Sequence, residues 1–292
     1  MSAHPPAGMI GLGLMGTALA ARLIEAGVPV IGFDIDPARC KAFAGETVVS
    51  AAEVMARCRT MVVAVFDAKQ VEAVLRDVRG AGLAQIIICV TTAAPHEIAD
   101  IARRAAALRL HFVEAPISGT SAEVRDGTAM ALTSGRTEAV DAAKPILDVL
   151  CPRQTYVGKI GDAARTKLAI NLILQNNRAV LAEGIAFAES MGLDAAAFLA
   201  TARESAAYSR VMDTKGEKML VREFAAQSHL SQTLKDAELI LEAARLHKQH
   251  LPISLVQTAL LRAAIALAGP DADSAAVIEA IRPSLTVDGA SR

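Results

Sequence analysis

The chain is 292 residues long, 53% hydrophobic and only 3% aromatic, with 30 basic against 31 acidic side chains. That length supports two domains with ample core. A formal net charge of −1 gives no electrostatic reason to expect nucleic acid or an anionic membrane as a partner.

The pattern is read from the N-terminus. Met1 to Gly8 carries no basic run, and the apolar stretch after it is broken by glycines, which fits neither a signal peptide nor a membrane span. Met9-Ile10 reads as a buried strand, and Leu14 to Ala26 as a helix that Gly27 stops. Val28 to Phe33 is a second strand and Pro37 to Phe43 a short helix. Thr60 to Phe66 and Gln85 to Val90 are further β-branched runs flanked by helical patterns. His111-Phe112-Val113 and Met130-Ala131-Leu132-Thr133 look like later strands. Strand alternating with helix implies a parallel sheet with right-handed crossovers. After Gly161 the strand signals stop. Ala163 to Met191 reads as one helix, roughly 40 Å long at 1.5 Å per residue. Further helices are expected at about Asp194 to Ala206, Leu230 to His247 and Ile253 to Ala268. The expected architecture is an α/β Rossmann domain, residues 1–161, followed by an all-α helical domain, residues 162–292.

The four cysteines, Cys40, Cys58, Cys89 and Cys151, form no C-x-x-C pair. Neither a zinc site nor a disulfide framework is indicated, and a reducing, cytoplasmic compartment is expected. His247 and His250 could seat a metal by spacing, but no carboxylate motif accompanies them; they read as a polar helix face. Arg57 and Arg59, and Arg76 and Arg79, read as solvated helix positions.

The first strand runs into Gly11-Leu12-Gly13-Leu14-Met15-Gly16, a G-x-G-x-x-G. In that motif the first glycine permits a tight turn, the second lets backbone approach a pyrophosphate, and the third lets helix and strand pack closely. The free N–H groups of the helix start then face the phosphates. Asp34 ends the second strand, 18 residues after Gly16. A carboxylate there accepts hydrogen bonds from ribose hydroxyls and repels a 2′-phosphate. No Arg follows immediately, and Asp36 adds a second negative charge, so NAD is expected in preference to NADP.

These residues also carry a family resemblance. Gly11 to Gly16 resembles the G-L-G-x-M-G start of the β-hydroxyacid dehydrogenases, which include 3-hydroxyisobutyrate dehydrogenases and tartronate semialdehyde reductases. Glu114-Ala115-Pro116-Ile117-Ser118-Gly119-Thr120 is similar to that family's D-A-P-V-S-G-G substrate segment. Gly161 to Asn171, with Lys167 and Asn171, is similar to its catalytic helix, and Lys235-Asp236 to its late K-D pair. Thr120 replaces the second glycine of the substrate segment, and Ile170 stands where the family commonly has an asparagine. A related segment in reductases of sulfonated three-carbon aldehydes also contains a Thr-Ser pair, as Thr120-Ser121 does here.

The resemblance implies an NAD-dependent enzyme that moves hydride between nicotinamide and a small 3-hydroxy acid or its semialdehyde. It assigns Lys167 as general acid and base, a role an ammonium/amine couple can fill in both directions if burial lowers its pKa. Lys167 and Asn171 share a helix face, one turn apart. Asn171 would hold the substrate in register, while Ser118, Gly119 and Thr120 would offer N–H groups and hydroxyls to its acid group. Thr92 near the cofactor and Lys235 near the cofactor or substrate are also implied. The expected partners are a small anionic hydroxy acid and further copies of the chain, as a homodimer or homotetramer, with no nucleic acid and no membrane. Two other readings remain: an imine reductase, a class that usually lacks a lysine at this position, and a catalytically silent dinucleotide-binding protein.

Overall fold

A computed structural model describes residues 5–78 and 85–282. Residues 1–4, 79–84 and 283–292 lie outside it, and with them Arg79, the first half of the Met1 to Gly8 stretch and the far end of the expected helical domain.

The N-terminal half alternates strand and helix. In chain order it runs β1 (Ala7–Ile10), α1 (Leu14–Glu25), β2 (Val30–Phe33), α2 (Pro37–Ala42), β3 (Glu46–Thr47), α3 (Ala51–Arg57), β4 (Thr60–Val63), α4 (Ala68–Asp77), β5 (Ile86–Cys89), α5 (Pro95–Ala107), β6 (His111–Glu114), β7 (Ile117–Ser118), α6 (Ser121–Arg125), β8 (Met130–Ser134), α7 (Thr137–Leu150) and β9 (Arg153–Gly158). The central strands are short and apolar on both sides because both faces are covered. Successive side chains point to opposite faces, and the core divides accordingly. Met9, Val62, Ile86 and Ile88 pack into one apolar cluster, whereas Ile10, Met61, Val63, Ile87 and Cys89 pack into another.

The sheet order is β3-β2-β1-β4-β5-β6-β8-β7, with β9 added beside β8. The pairs from β3 through β6 are parallel, as alternation of strand and helix implies. Beyond β6 the expectation of a parallel sheet fails locally. β8 runs antiparallel to both β6 and β7, and only its pairing with β9 is parallel. The reason is the short excursion through β7 and α6, which turns the chain back instead of carrying it across a face.

The C-terminal half is helical. It comprises α8 (Asp162–Ser190), α9 (Ala195–Arg203), a π-helical turn (Met212–Gly216), α10 (Glu217–Val221), α11 (Leu230–Leu246), α12 (Pro252–Ala268) and a 3₁₀ segment (Ser274–Ala280). Leu181, Ile185, Leu199, Met219, Leu230, Leu261 and Val277 anchor its own apolar cluster. The chain divides into two compact units at Ala169/Ile170, inside α8. No helix of the described residues is long and apolar enough to cross a membrane.

Candidate active site

In the first unit β1 lies between β2 and β4, so its C-terminal loop opens at the middle of the parallel strands. This is where open α/β sheets bind ligands. The three loop glycines differ in what surrounds them. Gly11 has φ +92°, and a Cβ there would stand 2.4 Å from the Ala64 carbonyl oxygen. A Cβ on Gly16 would stand 1.8 Å from the Gly11 carbonyl oxygen, so helix α1 can leave the strand this closely only with glycine. At Gly13 no backbone crowds the position, and the nearest neighbour is Arg39 Nη1 at 3.7 Å. Helix α1 starts with no side-chain cap and no acid in its first turn, which leaves amide donors for an anion. An open approach at Gly13 beside an uncapped helix start fits the diphosphate of a dinucleotide.

Asp34, at the tip of β2, is buried. Its Oδ2 accepts the Leu12 N–H at 2.7 Å and its Oδ1 accepts the Asp36 N–H at 2.9 Å, which fixes the carboxylate beside the loop. Arg39 approaches both Asp34 and Asp36 at 3.5 Å. The sequence reading passed over Arg39, which lies five residues beyond Asp34 and is brought back by the single turn of α2. Cys40 Sγ accepts the Asp34 N–H and donates to the Asp34 carbonyl. Leu14, Met15 and Thr92 are half-buried. Next to Thr92, Thr91 ties the loops after β4 and β5 together, accepting the Val65 N–H and donating to the Val65 carbonyl.

The substrate-like segment begins at the end of β6. Ser118 lies in β7 opposite Met130, Gly119 has φ +148°, a conformation that side chains rarely adopt, and Thr120 caps α6. Ser118, Gly119 and Thr120 are half-buried. Thr120 Oγ1 accepts the Glu123 N–H at 3.2 Å, while Glu123 Oε2 accepts the Thr120 N–H at 2.8 Å. This capping box occupies the Thr120 N–H and one lone pair of its hydroxyl, which leaves the O–H as a donor. The Thr-x-x-Glu spacing was its sequence signature.

Glu114, the first residue of that segment, is 1% exposed. Its Oε1 accepts the Ala164 N–H at 2.6 Å; its Oε2 accepts the Gly161 N–H at 2.8 Å and the Ser134 hydroxyl at 2.5 Å. Burial pushes this carboxyl above the usual glutamate value, against the pull of those three donors. Lys167, one turn after Ala164 on α8, is 5% exposed.

In the second unit Asn171 is 4% exposed. Its Nδ2 donates to Asp236 Oδ2 at 2.9 Å, and its Oδ1 is buried without a partner. Lys235 Nζ stands 3.0 Å from Asp236 Oδ1, so Asn171 and the Lys235-Asp236 pair, distant in sequence, come together. Further along the same face of α8, Gln175 donates to the Thr233 carbonyl at 3.2 Å. Arg178 is 6% exposed with Nε and Nη1 unpartnered, and burial lowers it to about 10. The sequence reading missed Gln175 and Arg178, although both repeat the helical spacing of Lys167 and Asn171. His247 and His250 are exposed on the surface.

Two family models cover the chain in succession. Residues 6–158 match the NAD binding domain of 6-phosphogluconate dehydrogenase, and residues 161–281 match the NAD-binding domain of NADP-dependent 3-hydroxyisobutyrate dehydrogenase. The chain is similar to L-threonate dehydrogenase of Cupriavidus necator, 29% identical over 97% of each chain. It is similar to 2-hydroxy-3-oxopropionate reductase of Escherichia coli, 28% identical over 94% of this chain and 96% of the relative. Its fold resembles that of a 3-hydroxyisobutyrate dehydrogenase from Salmonella typhimurium, with a TM-score of 0.84 at 24% identity, covering 94% of this chain and 99% of the other.

Proposed function

We propose a reaction, and a part for each residue in it, on the premise that this chain belongs to the β-hydroxyacid dehydrogenase family. The reading is an NAD-dependent 3-hydroxyacid dehydrogenase, with residues 1–161 as the dinucleotide half and 162–292 as the substrate and oligomer half. The observation that carries it is Lys167 buried one turn before a buried Asn171. An ordinary helix lysine stays in water, and a lysine withdrawn from water is suited to exchanging protons.

When bound, the dinucleotide supplies the hydride acceptor in oxidation and the donor in reduction. Gly11 to Gly16 cradle its diphosphate at the uncapped start of α1. Asp34 offers its remaining lone pairs to the adenosine ribose hydroxyls, and with Asp36 it disfavours a 2′-phosphate. Thr92 lines the same side. Lys167 Nζ takes the proton of the reacting hydroxyl in oxidation and returns it to the carbonyl oxygen in reduction. Asn171 donates one N–H to Asp236, and its unpartnered Oδ1 accepts a substrate hydroxyl. Ser118 and Gly119 face the acid group, with the Thr120 hydroxyl donating its O–H to it. Lys235, held by Asp236, supplies positive charge for the cofactor or substrate.

The proposed compartment is the cytoplasm, where four cysteines left as thiols are expected. The proposed assembly is a homodimer or homotetramer built on the helical half. Ile173, Val180 and Phe187 are exposed at seven-residue intervals on α8, and Ile253 and Leu267 are exposed two such intervals apart on α12. A recurrence of seven is the spacing that seats helices against one another, and light scattering on the purified chain reads the outcome.

The test of function is absorbance in the reduced-nicotinamide band, with NAD or NADP offered against L-threonate, glycerate, 3-hydroxyisobutyrate, serine and a sulfonated analogue. NAD-linked turnover that disappears in Lys167→Ala supports the reading. Dinucleotide binding without turnover on any of these substrates counts against it.

A further inference from the structure

The reaction above leaves unused the buried acid of the first unit that lies nearest Lys167 in its contacts, Glu114. Glu114 is sealed from solvent and accepts three hydrogen bonds, from Ser134, Gly161 and Ala164. Two of these donors are main-chain N–H groups at the start of α8, where an α-helix leaves its first four amides without partners and carries partial positive charge.

The distance in sequence is informative. A helix start is ordinarily capped by a short side chain of the residues immediately before it. Here the acid that caps α8 comes from 47 and 50 residues upstream. The nearby Asp162 is turned aside, with its Oδ2 accepting the Lys159 N–H at 3.1 Å. A local cap would satisfy the same amides but could not fix where the helix stands. The cap from Glu114 does, because Glu114 is at once the last residue of β6 and the first of the segment that leads to Ser118, Gly119 and Thr120. Through Ser134 the same carboxylate also grips the end of β8. Lys167 follows Ala164 by three residues and shares its helix face.

We propose that Glu114 is a positioning residue: its carboxylate sets the separation between the substrate segment and the turn of α8 that carries Lys167. Proton transfer demands that separation closely, since a misplacement of about 1 Å can cost about 10²-fold in rate. The proposal rests on the reading of Lys167 as general acid and base.

Glu114→Gln tests it. The amide is isosteric but presents one acceptor oxygen, so one of the two backbone N–H groups meets an NH₂ donor instead. With the full chain, NAD and the fastest substrate of the set above, kcat should fall by about 10²-fold while KM moves by less than about threefold. Glu114→Asp keeps both acceptor oxygens on a shorter stem and should recover about tenfold of that loss. It also carries the same test if the Gln variant does not fold. A second readout needs no substrate. Competitive acetylation by acetic anhydride from neutral to alkaline pH, read at each lysine by peptide mass spectrometry, reports the surroundings of individual amines. Glu114→Gln should change the labelling profile of Lys167 and leave those of Lys215 and Lys235 unchanged. A kcat within about threefold of the parent, or a Lys167 profile unchanged by the substitution, overturns the proposal. If Lys167→Ala keeps full turnover, the acid–base reading fails on its own, and the labelling still decides what Glu114 holds in place.

Discussion

The two units bury polar groups in opposite ways. The first has an apolar cluster on each face of its sheet, and its buried acids, Asp34 and Glu114, sit at strand ends where loops gather. Among its described residues the second has no sheet, and it places charge inside its helical packing. Lys215 Nζ meets both oxygens of Asp273 at 2.7 and 2.8 Å. Asp273 also accepts the N–H groups of Gln227, Ser228 and Ala275. In the first unit, register along the ladder fixes which residues are neighbours. Helices slide and rotate more freely, and in the second unit one aspartate ties the π-helical turn at Lys215 to the loop before α11 and the start of the 3₁₀ segment, where the strand-like pairing is a single bridge between His229 and Asp273. Polar groups therefore gather at the strand ends in the first unit and specify the packing in the second.

Several substitutions test that contrast. Lys167→Ala should have the largest effect: turnover falls by about 10³-fold or more, while calorimetric affinity for NAD stays within about twofold because the dinucleotide loop is untouched. A comparable loss of NAD binding would mean that Lys167 serves the cofactor instead. Asp273→Ala should come next. It leaves Lys215 buried without its partner, a change that costs about 3–5 kcal/mol. Chemical denaturation followed by hydrogen exchange should locate the loss in residues 170–282, and adding Lys215→Met should restore part of it. If the double variant is no more stable than Asp273→Ala, the ion pair is not what the aspartate contributes.

Acid should separate the units with opposite signs. Burial pushes Asp273 up, but the charge of Lys215 and its hydrogen bonds outweigh this and hold it below the ordinary aspartate value of 3.8. Its contribution is therefore present above that value and is lost as the pH falls through the folded pKa. Burial holds Glu114 above the ordinary glutamate value of 4.5. Its contribution is full below that value and is lost as the pH rises through the folded pKa. Acidification from neutral should strip protection from the second unit while the ends of β6 and β8 gain it, as read by exchange corrected for intrinsic rates. Equal loss in both units would contradict the assignment. The smallest effect belongs to Arg39→Ala. Its two ion pairs are long and half-exposed, worth about 0–1 kcal/mol, so stability should hardly move. Binding titrations should show NADP weakened several-fold more than NAD if the guanidinium stands where a 2′-phosphate would lie.

Much of this was legible in the sequence for identifiable reasons. Apolar runs bounded by helical patterns marked the parallel strands, and Gly11, Gly13, Gly16 and Asp34 form a local pattern whose geometry is common to many sheets. The two-residue strands β3 and β7 were not legible, because Glu46-Thr47 and Ile117-Ser118 are too short to show a period. Nor was the reversal of β8, which depends on Glu114 standing opposite Ser134. At the site, Lys167 and Asn171 could be placed on one helix face by spacing alone. That Asn171 meets Asp236, and that Glu114 caps α8, could not, since those contacts span 65 and about 50 residues of chain and depend on tertiary packing.

The unequal surroundings of the three loop glycines also predict how the gene would tolerate mutation. A survey scoring every substitution by abundance of folded protein should find Gly11 and Gly16 intolerant, because backbone oxygens already fill their Cβ positions. The same survey should pass alanine at Gly13, where only the tip of the Arg39 side chain is near, at ordinary contact distance. A survey scoring dinucleotide capture should reject all three. The difference between the two maps at that single codon would then outline the cofactor by the selection it imposes.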